Sequence, residues 1–441
     1  MGTLESRAEE AVSTSQQRIA RNAKNLPEVS LCALAHHVDL YWLYEAFVRT
    51  RKDAAPGIDN QSAQDYESNL GKNLRSLLER FKSGSYRAPP VRRVYIPKIG
   101  STEKRPIGIP TFEDKVLQRA VQMVLEPIYE EKFYGFSYGF RPAKSAHDAL
   151  EALWKSLMDL NGGWVIDLDI SKFFDTLDHG KLREILKQRV CDGVIARTID
   201  KWLKAGVMEA GCVSFPERGS PQGGVISPIL SNIYLHEVLD RWFVEMVKPR
   251  LKGSAFMIRY ADDAVIVCKC KEDAERILAV LPRRFEKYGL RVHPEKTRLV
   301  EFRPPSEGGR KGTGTFTFLG LKHFWMKSRR NRWVVGRKTD GARLGRALKA
   351  ISVWCRRNMH APVNEQHAML SQKLRGHYGY YGITFNLRSL RKFYYGVQRI
   401  WFKRLRRRSS KSNLTLARFW DYLSREPLPL PRVMHSSMAN P

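Results

Sequence analysis

The chain has 441 residues, 43% of them hydrophobic, and a formal net charge of +31. That composition excludes global disorder and is enough for about three domains of roughly 150 residues each. The charge is far beyond what solubility requires, so the expected partner is a phosphate backbone, with an acidic membrane surface as the competitor. Six cysteines without a CxxC pair argue against zinc ribbons and Cys/His knuckles. No secretory leader or membrane-length apolar run is visible, so no membrane partner is expected, and a reducing bacterial cytosol is the expected location.

Residues 1–29 are polar with weak periodicity. Leu40, Leu43, Tyr44, Phe47 and Val48 keep helical spacing up to the Pro-Gly turn of AAPGIDN. A helix over 62–83 leads to the strand VRRVYIPK, and 113–133 reads as a helix interrupted at Pro127. GWVIDLDISKFFDTLD (163–178) starts as a strand and turns, and HGKLREILKQRV is helical. Residues 219–247 are a Gly/Pro loop feeding a long helix. FMIRYADDAVIVCK (256–269) reads as a hairpin with Asp262 and Asp263 at its tip. A helix at 271–288 and short strands near Arg298–Phe302 and Phe316–His323 follow. Residues 303–314 form a Gly/Pro-rich loop and 325–340 a basic loop or hairpin. Beyond Gly341 the pattern is helical: Leu344, Leu348, Ile351 and Trp354, then 363–376 and 388–406. The order is helical, mixed α/β, then helical and basic.

From Gly341 to Pro441 there are 20 Lys+Arg against 3 Asp+Glu. Tyr378, Tyr380, Tyr381, Phe393, Tyr394, Tyr395, Trp401, Phe402 and Trp420 interleave with them. Base and aromatic together suit nucleic acid better than lipid.

Two adjacent aspartates at a hairpin tip have an ordinary reading, since Asp bonds its own backbone in turns. The sharper reading is a divalent-metal site, because hard cations take one or two carboxylates plus substrate phosphates. It requires a third carboxylate, and VIDLDISKFFD supplies one. Asp167, Asp175 and Asp178 suit turns, strand ends or caps. Asp169 does not, because an unpaired carboxylate within an apolar strand is costly. If that strand lies beside the hairpin, Asp169 and Asp262 can converge on two cations about 4 Å apart, the arrangement for in-line nucleotidyl transfer.

These segments resemble, in order, the blocks of reverse transcriptases, and within those the bacterial group II intron-encoded, maturase-type proteins. AAPGIDN is similar to the early block and VYIPKIGSTEKRPIGIPTFEDKVLQ to the fingers motif. FSYGFRPAKSAHDAL comes next. DLDISKFFDTLDHGKL resembles palm motif A, GSPQGGVISPILSNIYL motif B, YADD motif C, YGLRVHPEKT motif D and FTFLGLKHF the primer-grip block. The resemblance implies an α+β, right-hand polymerase fold: fingers and palm with an antiparallel palm sheet, then an all-α basic thumb/maturase domain. It implies an N-terminal helical extension over 1–53, fingers and palm over 54–325, thumb/maturase helices over 326–410 and a basic tail over 411–441, without an endonuclease module.

By the same resemblance, Asp169, Asp262 and Asp263 bind two Mg²⁺ ions, for which Mn²⁺ can substitute. Lys98 and Arg105 match the fingers' basic pair on the triphosphate, with one residue more between them than in some relatives. Gln222 matches the motif B glutamine near nucleotide and template, and Gly223 and Gly224 permit close backbone approach. Phe174 matches the gate that excludes a ribose 2′-hydroxyl, although as an isolated residue it reads as core. Lys296 matches a general acid toward pyrophosphate. Arg404, Arg406, Arg407 and Arg408 are the expected RNA contacts. The implied activity is RNA-directed DNA polymerisation with assistance to intron splicing and mobility. The implied partners are intron RNA, an RNA template with DNA primer, dNTPs and a DNA target site. The alternatives are a domesticated reverse transcriptase of retron or defence type, a non-catalytic RNA-binding splicing factor, and an RNA-dependent RNA polymerase.

Overall fold

The computed structural model describes residues 2–97, 104–209, 212–214, 223–305, 314–408 and 414–436. Its strands are β1 (Val91–Pro97), β2 (Lys104–Ile109), β3 (Gly163–Leu168), β4 (Val207–Glu209), β5 (Cys212–Ser214), β6 (Ala255–Tyr260), β7 (Asp263–Cys268), β8 (Arg298–Phe302), β9 (Phe316–Phe318), β10 (Leu321–Lys327) and β11 (Trp333–Thr339). Among the described residues they form three sheets, ordered β2-β1-β4-β5, β6-β7-β3-β8 and β11-β10-β9. The central sheet, β6-β7-β3-β8, is antiparallel throughout.

Its inward residues explain why these segments pair. Ile166, Met257, Ala264, Ile266 and Cys268 point into the largest apolar core, while Val165, Ile258, Val265 and Val267 point into a second one. Both faces are covered, so β7 reads as an uninterrupted apolar run, AVIVC. Each Val, Ile or Met among them contributes roughly 1.5–3 kcal/mol relative to exposure.

The helix Phe112–Glu130 runs through the main core with 13 of its residues buried. Pro127 does not interrupt it. The proline falls in the last turn, where one lost backbone bond is outweighed by burial of the flanking Val124, Leu125 and Ile128. The expected helix over 62–83 is two helices, Ala63–Glu67 and Leu70–Ser83. Ser62 and Asp65 close a capping box on the first, and the Asn73 side chain bonds back to the carbonyl of Tyr66 across the break. The N-terminal stretch is a helix, Gly2–Asn25. Its seam is narrow: Ala8, Val12, Ile19 and Ala23 are buried, and two of the four are alanine.

Residues 31–35 then dock on the segment around 190. Leu31 pairs with Val190, and the Asp192 carboxylate accepts from the backbone N–H of Leu34 and Ala35, each at 2.8 Å. Cys32 and Cys191 are joined by a disulfide there. The reducing cytosol expected from the lack of a visible leader or membrane-length run keeps thiols free, and no spacing rule links residues 159 apart.

The basic stretch 325–340 resolves as the β10–β11 hairpin, so strand extends into the region expected to be all-helical. From Gly341 on the helices are Gly341–Arg357, Val363–Tyr381, Leu387–Arg406 and Leu416–Arg425. They share a core of Ile351, Cys355, Leu370, Leu374, Leu390, Val397 and Trp401. That core absorbs four of the nine aromatics expected to stack on bases, and Tyr381 and Phe402 pack against it. Phe393, Tyr394 and Trp401 are buried, whereas Tyr395 and Trp420 remain exposed. No described helix is long and apolar enough to cross a membrane.

Candidate active site

The two aspartates sit where the β6–β7 hairpin turns. Tyr260 pairs with Asp263, leaving Ala261 and Asp262 as a two-residue loop. Ala261 has φ 56°, a positive value at the position that glycine commonly takes in tight hairpins. β3 runs antiparallel to β7 with Leu168 opposite Ala264, so the next residue, Asp169, emerges beside Asp263. Asp169 stands just past the strand end rather than on it. Its carbonyl accepts from His293 N–H at 2.9 Å, and its own N–H donates to Thr297 Oγ1 at 3.2 Å. The motif D segment thereby fixes the backbone of motif A.

Crowding shapes the electrostatics. Burial raises the Asp262 carboxyl, and the Asp169 charge raises it further, while Arg105 and Arg259 oppose the rise. Asp263 keeps part of its surface in solvent, yet the protein packed around its carboxyl pushes it up to about 6, aided by Asp262, Asp169 and Asp167 and opposed by Arg343. Asp167 is raised by burial against the pull of Arg298, 3.2 Å away. Lys296 Nζ is 3.7 Å from Asp169 Oδ2.

These carboxylates sit together at a cost while no cation is bound. A raised acid binds more protons folded than unfolded, so stability falls as pH rises from the ordinary Asp value to about 6. Asp263→Asn is therefore expected to raise the thermal midpoint of EDTA-treated protein at pH 7. The gain should vanish as pH falls toward about 4, near the Asp reference value. Thermal unfolding across that range measures it, and an equal or lower midpoint at pH 7 would contradict the crowding.

Among the described residues no group of three or more His, Cys, Asp or Glu is gathered closely enough to hold a metal ion. Mg²⁺ does not demand such a cage, since one or two carboxylates and substrate phosphates suffice. Three hard oxygen donors whose charges oppose one another fit that requirement.

Arg105 lies exposed on β2, opposite Ile96, close enough for its charge to act on Asp262. Lys98 and Gln222 lie outside the described residues. Gly223 follows Gln222 with φ 109°, and a Cβ there would meet Gly108 O and Ile107 Cγ2, both at 2.7 Å. Gly223 thus packs directly on β2, as a backbone-approach glycine predicts. Phe173 and Phe174 separate: Phe173 is core, whereas Phe174 is half-buried and packs edge-on against it at 5.2 Å. The four arginines also divide. Arg406 and Arg407 are exposed, but Arg404 bonds Ser352 Oγ at 3.4 Å and Arg408 bonds the carbonyl of His360 at 2.8 Å.

Sequence reasoning missed Arg343 and Arg259. Arg343 opens the Gly341–Arg357 helix, 80 positions beyond Asp263, and no local pattern connects them. Arg259 does carry a signal, a lone cation inside the apolar strand AFMIRY.

Residues 96–323 match the family described as Reverse transcriptase (RNA-dependent DNA polymerase). That domain implies a right-hand polymerase fold, and the mixed α/β architecture with its antiparallel sheet agrees with it. The chain is 34% identical over 352 residues to Protein YkfC of Escherichia coli (strain K12), covering 72% of this chain and 90% of that protein. It is 36% identical over 236 residues to Group II intron-encoded protein LtrA of Lactococcus lactis subsp. cremoris, covering 52% of this chain but only 38% of that protein. With Nuclear intron maturase 2, mitochondrial, of Arabidopsis thaliana it shares 31% identity over 175 residues, 31% of this chain and 24% of that protein. The chain belongs to the group II intron-encoded reverse transcriptase/maturase family.

Proposed function

We propose that this protein is a Mg²⁺-dependent RNA-directed DNA polymerase that also binds its intron RNA and assists splicing and mobility. The observation that carries the reading is the meeting of Asp169 with the Asp262–Asp263 turn on adjoining strands, with Arg105 and Lys296 close by. Asp169, Asp262 and Asp263 would hold the metal. The chemistry such ions supply is activation of a primer 3′-hydroxyl and neutralisation of the departing pyrophosphate. Arg105, and Lys98 by resemblance, would pair with the incoming triphosphate as its charge shifts. Lys296, beside Asp169, would donate a proton toward pyrophosphate. The partners of this reading are intron RNA, an RNA template with a DNA primer, dNTPs and a DNA target site. The basic helices from Gly341 onward would serve as a thumb and RNA-binding surface.

The direct test is extension of a DNA primer on an RNA template, run with dNTPs and rNTPs side by side. Wild type should incorporate dNTPs and discriminate against rNTPs. The half-buried ring of Phe174, five residues after Asp169, supports its role as the sugar gate. Phe174→Val should therefore narrow the dNTP preference by about tenfold or more, since site-wall changes of this size are worth roughly 1–3 kcal/mol. An unchanged ratio in a folded, active variant returns Phe174 to a packing role. A folded wild type that binds RNA without any templated incorporation would leave only the splicing-factor reading.

A further inference from the structure

Arg259 and Asp240 are both fully buried, and form an ion pair inside the protein directly beneath the aspartate turn. Arg259 Nε donates to Asp240 Oδ1 at 2.7 Å and Nη2 to Asp240 Oδ2 at 2.5 Å. Nη1 donates to Asn232 Oδ1 and to the carbonyl of Ala261, each at 3.0 Å. Asn232 Nδ2 in turn donates to Gly139 O at 2.6 Å. Residue 139 must be glycine, because a Cβ there would reach Ala261 N at 2.2 Å. The segment around it is tied to the backbone of Arg259 on both sides, by Arg259 N–H to Phe136 O at 2.9 Å and Tyr138 N–H to Arg259 O at 2.8 Å.

A buried ion pair is weak evidence for stability, since apolar residues of similar volume generally do as well. A geometric task explains it better. Ala261 has φ 56°, a left-handed conformation that L-residues other than glycine disfavour and that persists only where the surroundings impose it. Its carbonyl is held by Arg259, its N–H side is walled by Gly139, and Asp262 and Asp263 follow it immediately. Asp240 reaches Arg259 from a π-helical stretch, His236–Arg241, and such widened turns occur frequently at functional sites.

We infer that Arg259, braced by Asp240 and Asn232, is a positioning residue that holds Ala261 in its left-handed turn and so aims Asp262 and Asp263 toward Asp169. The inference rests on the polymerase reading above. It is distinct from the metal-ligand assignment, because none of the three bracing residues touches the reacting atoms.

Arg259→Lys keeps the charge opposite Asp240, but an ammonium cannot span Asp240, Asn232 and Ala261 at once. Two readouts apply. The first is the Mg²⁺ concentration giving half-maximal primer extension. The second is Mn²⁺ affinity by electron paramagnetic resonance, in the presence of a primed RNA template and an unreactive dNTP analogue. Arg259→Lys should weaken Mn²⁺ binding and raise the Mg²⁺ requirement by about tenfold, the size typical of outer-sphere changes, with template affinity within about twofold of wild type. Asn232→Ala leaves the ion pair intact and should give the same shift at about a third of the size. It decides the matter if Arg259→Lys fails to fold.

Variants that lose only thermal stability, with Mn²⁺ affinity and Mg²⁺ requirement unchanged, would make the cluster an ordinary core and overturn the inference. If wild type itself binds no Mn²⁺ and extends no primer, the polymerase reading fails and the inference falls with it. If wild type responds to Asp262→Asn but not to Arg259→Lys or Asn232→Ala, the inference alone is wrong.

Discussion

Asp262→Asn is expected to lower templated dNTP incorporation by several orders of magnitude, while leaving the fold and RNA affinity intact. The amide preserves the shape of the two-residue turn and removes only the charge that would ligate a cation. Metal clamps on a transferring phosphoryl group supply much of the transition-state stabilisation, so loss of one ligand reads out in turnover rather than in binding. The protein's electrostatics separate this from unfolding. Burial and Asp169 already penalise the ionised Asp262, so the neutral side chain should not destabilise the metal-free protein. The measurement is single-turnover primer extension on an RNA template, with thermal unfolding and filter-binding of structured RNA as controls. Extension within about tenfold of wild type would remove Asp262 from the reaction, since mutating a transition-state donor usually costs at least 10²-fold.

The second large effect separates synthesis from RNA binding. Asp262→Ala/Asp263→Ala should abolish cDNA synthesis and leave splicing assistance nearly intact. The reciprocal variant replaces Arg404, Arg406, Arg407 and Arg408 by Ala, and should lose intron affinity while still extending a short primed template at low salt. Arg406 and Arg407 face solvent, whereas Arg404 and Arg408 bond within the helical unit. The pair Arg406→Ala/Arg407→Ala should therefore account for most of the loss with less damage to packing. It should reduce the slope of log K against log[salt] by about 1–2, one increment per phosphate contact. Splicing and extension assays on the same preparations, across a salt titration, make the comparison. If the carboxylate variant binds intron RNA yet loses splicing as completely as synthesis, separate surfaces for the two tasks are ruled out. An unchanged salt slope in the arginine variants would move the RNA footprint elsewhere.

The candidate site was legible where its chemistry is local. Asp262 and Asp263 stand out because two acids interrupt a run of β-branched residues, and Asp169 because it follows an apolar strand so closely, although it lies just past that strand's end and not within it. Strand pairing then follows from burial on both faces. What failed to show was set by long-range packing. Pro127 looks like a helix breaker until the depth of its helix is known. The Gly2–Asn25 helix, implied by the family resemblance, has weak periodicity of its own because alanine supplies half of its seam. The aromatics from Tyr378 on imitate a base-stacking surface, yet Tyr378, Phe393, Tyr394 and Trp401 fill the core among four helices, since a side chain's direction is not written in its neighbours. Arg343 illustrates the same limit at the site itself: it acts on Asp263 from a helix that no spacing rule connects to the hairpin.

The joint between the helical unit and the rest of the molecule carries a consequence for biosynthesis. Residues 434 and 435 form backbone bonds to Gly382, and the carbonyl of His435 accepts from Thr384 N–H. The ring of His435 stacks on His147 at 3.7 Å, and His147 bonds the carbonyl of Tyr380. His147 lies in the first turn of the helix Ala146–Asp159, which packs on the central sheet. Elements made early can fold as they leave the ribosome, but this clasp cannot close until residue 435 has been translated. Its loop spans most of the chain, and closing long loops is slow relative to local folding. Earlier residues also join the helices to the rest of the molecule, Asn386 through Thr339 and Tyr380 through the carbonyl of Leu319, so the joint can begin to form before the clasp does. The clasp is therefore a late addition that completes the joint rather than an early nucleus.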